Sequence, residues 1–141
     1  MRSEIPVVNM DVQAVFDRYA PALRDKLLGL RAAILDVAGE ENVGPIEEVL
    51  KWGQPSYLTE NGSGTTIRID RDETNGGALA LYVNCKSSLV GEWRDRFPDM
   101  VFGGDRSLHL TLDADLGDPR LKMCIADALT YHSRKKKSGG R

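Results

Sequence analysis

Eight side chains that could hold a ligand gather in the middle of this chain. Lys51, Trp52 and Gln54 precede a strand-like run that contains Tyr57, and Arg68, Tyr82, Asn84 and His109 recur in later runs of the same kind. Successive side chains of a strand point to opposite faces of a sheet. Alternation therefore predicts one face of Leu58, Ile67, Ile69, Leu79, Leu81, Val83, Leu108, Leu110 and Leu112. The other face takes Tyr57, Thr66, Arg68, Ala80, Tyr82, Asn84, His109 and Thr111. The first set reads as the core face. The second combines aromatic area with orienting polar groups, the makeup of a site for a small polar or anionic ligand. Trp52, Tyr57 and Tyr82 would supply contact area; Lys51, Gln54, Arg68, Asn84 and His109 would orient the ligand. The same residues also fit a plain packing surface, partly covered by a helix at 89–97 with Trp52 and Trp93 as filler.

Other chemistry finds little support. The two histidines, His109 and His132, stand in neither a His-Glu-x-x-His nor a Cys-x-x-Cys pattern. Alternation puts Cys85 on the core face and His109 on the opposite one, so they do not make a nucleophile and base. Cys124 falls in an amphipathic run and reads as a packing thiol. The glycine-rich stretches at 62–64, 76–77 and 103–104 lack the Lys-Ser/Thr of a phosphate loop and read as hairpin turns. With no nucleophile, base or cofactor fingerprint, the expectation is a non-enzymatic domain. Acids cluster at Asp70, Asp72 and Glu73, at Asp113, Asp115 and Asp118, and at Glu40, Glu41, Glu47 and Glu48. Such clusters favour a hard cation or a weak iron(II) site, for which the first is the candidate, and they equally suit ordinary solubilising turns. No cofactor is expected otherwise.

These residues need elements to position them. Val12, Val15, Phe16 and Tyr19 recur at helical spacing, with Asp11 as the expected N-cap. Pro21 opens a second helical stripe of Leu23, Leu27, Leu30, Ile34 and Val37 that stops at Gly39. Pro45 followed by Glu47 and Glu48 predicts a short acidic-headed helical turn, ended by Gly53 and Pro55. Strands are expected at 56–59, 65–70 and 78–85, then a helix at 89–97, a hairpin of 101–102 with 108–112, and a final helix from Pro119 capped by Asp118. The order ααβββαββα, with grouped strands and short connections, predicts an α+β fold. Its sheet would be antiparallel, of about five strands, packed against the N- and C-terminal helices.

A chain of 141 residues fits a single domain with a core of its own. Its 41% hydrophobic and 28% charged residues lie near the globular average. The longest apolar runs fall well short of a membrane span, and MRSEIPVVNMDV is too polar for a signal peptide. Two widely spaced cysteines suit a reducing compartment, so a cytoplasmic location is expected, with no membrane partner. Charge is unevenly placed. Arg134, Lys135, Lys136, Lys137 and Arg141 crowd the end, leaving 14 bases against 21 acids, a net −7, in residues 1–133. Residues 1–133 thus read as the domain and 134–141 as a basic tail, which is no basis for a specific nucleic-acid partner.

The segment EEVLKWGQPSYL (47–58) resembles the YdhG-like family of small bacterial domains of unknown function. The resemblance rests on Glu47, Glu48, Trp52, Gly53, Pro55 and Tyr57. LRDKLLGLRAAI (23–34) and ALTYHSRKK (128–136) are similar to the family's N- and C-terminal helices. The resemblance implies an antiparallel sheet packed against terminal helices. Some relatives are described as frataxin-like intracellular iron chaperones, which implies iron delivery for cluster or haem assembly as an alternative to the small-ligand reading. A third expectation is a structural or protein-interaction module, with a homodimer as its simplest form.

Overall fold

The computed structural model describes residues 6–72 and 78–139, with side chains as far as Lys135. The chain runs α1 (Met10–Arg18), α2 (Pro21–Glu40), β1 (Ile46–Lys51), β2 (Gln54–Thr59), β3 (Ile67–Arg71), β4 (Leu79–Tyr82), α3 (Leu89–Arg96), β5 (Val101–Gly103), β6 (Ser107–Leu110), α4 (Pro119–Leu129) and α5 (Tyr131–Gly139). The strands form one antiparallel sheet of order β1-β2-β3-β4-β6-β5. The α+β class and the antiparallel sheet are as expected.

The sixth strand is a correction. Residues 46–51 are extended, where a helical turn was expected. Ile46 and Leu50 are spaced i, i+4, which satisfies helical and strand periods alike. The residue that would tell them apart, Glu48, is polar and so hid the strand period. It faces inward because Arg31 and Tyr57 satisfy it there.

The helices follow local rules. Asn9, rather than Asp11, caps α1 by accepting from the amides of Asp11 (2.9 Å) and Val12 (3.2 Å). Asp11 falls in the first turn instead, where an acid suits the helix dipole. Asp118 caps α4 through the Arg120 amide at 2.9 Å, with Pro119 at the first helical position.

One core joins the helices to the sheet. Phe16, Leu27, Leu30 and Ile34 meet Ile67, Ile69, Leu79, Leu81, Val83 and Leu108, with Leu121, Ile125 and Leu129 closing from α4. Burying each such side chain contributes about 1.5–3 kcal/mol. Leu110 is only half-buried and Leu112 lies exposed beyond the end of β6. The helix α3 joins this core. Its Trp93 is fully buried, lies 6.5 Å from Phe102, and donates its Nε1 proton to Asp127 on α4 at 3.1 Å. Phe102 stands opposite Leu108 on the core face, so Trp93 packs on that side of the sheet.

Candidate functional site

The residues around the sheet's second face begin at a tight hairpin. Lys51 pairs with Gln54, leaving Trp52 and Gly53 as the whole loop. Both have positive φ, 57° and 74°, as a type I′ turn requires. Glycine adopts that conformation freely, whereas a bulky residue there is a strained outlier. Trp52 is also 88% exposed, so neither backbone comfort nor packing explains an indole at this tip. Such outliers cluster at ligand clamps.

From that tip the second face runs across the central strands. Ser56, Arg68, Tyr82 and Ser107 stand in one row, and Asp70, Ala80 and His109 in the next. The Arg68 guanidinium lies over the Tyr82 ring at 5.8 Å and donates to Gln54 Oε1 at 3.2 Å. Gln54 in turn donates to Asp70 Oδ2 at 3.0 Å, and the Tyr19 hydroxyl donates to Asp70 Oδ1 at 2.7 Å. Gln54 and Asp70 are therefore spent on holding Arg68 in place rather than on reaching a ligand.

A cleft of about 400 Å³ opens on this surface, lined by Lys51, Trp52, Thr65, Thr66, Arg68, Val83, Asn84, Cys85 and Arg106. Three of these are cations and none is an acid. Burial lowers the Arg68 pKa, and the nearby Arg106 lowers it further. A half-buried guanidinium next to another, with no carboxylate among the described lining residues, is an electrostatic deficit that an anion would relieve. Thr65, Thr66 and Asn84 add hydrogen-bonding groups at the margin.

Of the eight expected ligand residues, this cleft gathers Lys51, Trp52, Arg68 and Asn84. Tyr82 and Gln54 support Arg68 from beside it. Tyr57 does not belong. It pairs with Ile67, is fully buried on the core face, and donates to Glu48 Oε2 at 2.7 Å. The parity of β2 is reversed from the expected one, leaving Leu58 half-buried on the second face. A phenol can face inward because its hydroxyl finds a carboxylate there.

His109 is engaged elsewhere. Its Nδ1 meets Asp72 Oδ2 at 2.6 Å and its Nε2 meets Ser107 Oγ at 2.8 Å, with both ring partners buried. The order Asp–His–Ser has the form of a nucleophilic relay. Here Ser107 also donates to the Gly103 carbonyl at 3.1 Å, and His109 lines a separate cleft that Ser107 and Asp72 do not. A Cβ at Gly103 would collide with His109 Nε2 and Ser107 Oγ. The relay thus ties the β5–β6 hairpin to the sheet.

The expected metal cluster is divided among other tasks. Asp70 is held by Tyr19 and Gln54, Asp72 by His109, and Glu73 lies outside the described residues. Among the described residues no three histidines, cysteines or acids converge to hold a metal ion. Cys85 is exposed at the cleft rather than buried on the core face, because β4 ends at Tyr82 and the chain turns there. Cys124 is buried, and burial, followed by the charge of Asp127, pushes its thiol up to about 12.

Arg106 is the site residue that sequence patterning missed. It sits in the turn before β6, and the β4–β6 pairing sets its backbone against Val83. Only the strand order, with β6 inserted between β4 and β5, brings it to Arg68. Among the described residues no helix is long and apolar enough to cross a membrane. No family model matches the chain, and neither the curated proteins nor the solved structures give a significant match, so the site rests on its own geometry.

Proposed function

We propose that this chain is a non-enzymatic binding domain for a small anion, held in the cleft of Lys51, Arg68 and Arg106. The observation that carries this reading is the lining itself: three cations, Trp52, two threonines and an asparagine, without one carboxylate among the described residues, on a chain of net charge −2. A volume of about 400 Å³ lies in the range of small-molecule sites, roughly 300–1,000 Å³. Arg68 is pre-oriented by Gln54 and Tyr82, so little side-chain entropy is lost when it grips an anion. Guanidinium pairs favour carboxylate or phosphate oxygens, which they can meet with two parallel hydrogen bonds.

Calorimetric titration with inorganic phosphate, sulfate and citrate tests the reading. At least one should bind, and binding should vanish in the Arg68→Gln/Arg106→Gln double variant while its thermal unfolding stays cooperative. Equal binding by the double variant, or none by the native chain, overturns the assignment.

A further inference from the structure

The anion cleft does not end at Asn84. A second cleft of about 350 Å³ shares Thr65 and Asn84 with the first and continues to Lys86, Tyr131, His132 and Lys135. Among the described residues no carboxylate lines this one either. The two clefts together present five lysine and arginine side chains along one path on a chain whose acids outnumber its bases. A compact anion fills one cleft. A path with cations repeated on both sides of a shared joint matches an anion whose charges are themselves repeated.

The ends of the path say which polyanion. At one end the Trp52 indole is 88% exposed at a strained turn. At the other the exposed His132 ring stands against Tyr131, 5.2 Å between centroids at 67°. Lys135 Nζ lies 5.4 Å from the centre of that same tyrosine ring. Flat rings flanking a positive groove are the parts that hold single strands, because every unpaired base offers a π face. A duplex keeps its bases stacked inside, out of reach of the indole. The helix α5, which supplies Tyr131, His132 and Lys135, also contains Arg134–Lys137, a basic run in sequence.

We propose that the two joined clefts bind single-stranded nucleic acid without sequence preference, its phosphates on Lys51, Arg68, Arg106, Lys86 and Lys135, its bases on Trp52 and His132. This rests on the anion reading of the first cleft and extends it to a polymer.

Fluorescence anisotropy of the full chain with a labelled 12-nucleotide oligo-dT tests it, beside a duplex of equal length, heparin, and inorganic phosphate. The oligonucleotide should bind at least about tenfold more tightly than the duplex, with a log–log salt slope of about −3.5, from roughly −0.7 for each of the five phosphates neutralised. Lys86→Gln/Lys135→Gln should lower that slope by about 1.4 and leave phosphate binding intact. Trp52→Ala should weaken the oligonucleotide but not heparin. Lys136→Gln/Lys137→Gln serves as the control for the basic run alone.

An oligonucleotide that ignores Lys86→Gln/Lys135→Gln, or responds only to Lys136→Gln/Lys137→Gln, overturns the extended site while phosphate binding keeps the small-anion reading. Equal loss of heparin and oligonucleotide on Trp52→Ala, or equal affinity for the duplex, overturns the single-strand assignment. Failure of the oligonucleotide together with phosphate, sulfate and citrate removes both readings.

Discussion

Two arginines on opposite faces of the sheet show how the same group can serve the fold or a ligand. Arg31, on α2, meets Glu48 through Nε at 2.5 Å and through a second nitrogen at 3.0 Å, and also donates to the Pro6 carbonyl. Tyr57 donates to the same carboxylate at 2.7 Å. Burial alone would lower the Arg31 pKa, but the hydrogen bonds and charge of Glu48 outweigh it and the net shift is upward. Arg68, on the second face, has an amide oxygen and an aromatic ring for company and Arg106 nearby, and its shift is downward. A buried cation with its carboxylate is complete. A half-buried cation facing another cation is waiting for an anion.

Removing one partner from each cluster separates the two roles most directly. Glu48→Ala strands Arg31 and Tyr57 in the core, and breaking a buried pair on one side costs about 3–5 kcal/mol. For a chain of this length that lowers the melting temperature by roughly 10 °C or more. Arg68→Gln removes a charge that meets no carboxylate among the described residues, so the change in stability should stay within about 1 kcal/mol. Thermal or urea unfolding of the two variants reads the difference. Equal losses would mean that Arg68 is as structural as Arg31.

Much of the fold was legible in the sequence because its signals are local. The stripe of Leu27, Leu30, Ile34 and Val37, the Asp118–Pro119 start of α4, and the alternation of Ile67, Ile69, Leu79 and Leu81 each act within a few residues. The errors lie where a distant partner decides. Glu48 turns inward only because Arg31 on α2 and Tyr57 across the hairpin receive it, and the parity of β2 follows from that contact. The candidate site was half legible for the same reason. Lys51, Trp52, Arg68 and Asn84 share a cleft as alternation and proximity suggested. Arg106 arrives through strand order, and His109 is claimed by Asp72, 37 positions away.

Alkaline titration sharpens the contrast from the core side. Burial raises the pKa of Tyr57, with the Glu48 charge adding to it, and raises that of Cys124 to about 12. Both groups stay protonated in the fold after their unfolded counterparts ionise. The native state then binds more protons, and stability falls as pH rises. The loss should begin near pH 9 for Cys124 and near pH 10 for Tyr57, their ordinary values, and reach about 1–2 kcal/mol by roughly pH 10. Urea unfolding against pH measures it. Cys124→Ala should flatten the first part of the decline and Tyr57→Phe the second; unchanged slopes in both would separate the decline from these groups.

The smallest expected change is at Trp52. An L-residue other than glycine, asparagine or aspartate pays about 1–2 kcal/mol to sit at positive φ. Trp52→Asn keeps the turn with a residue that accepts it, and Asn-Gly is the favoured pair for this hairpin. The indole contributes little packing at 88% exposure, so the variant should be more stable by about 1 kcal/mol, a rise of a few degrees in melting temperature. Binding of the 12-nucleotide oligo-dT should weaken in the same variant. A gain in stability with a loss of binding would show that strain is retained at this tip for the ligand, as Arg68 retains its missing charge. A loss of stability would instead return Trp52 to the fold, beside Arg31.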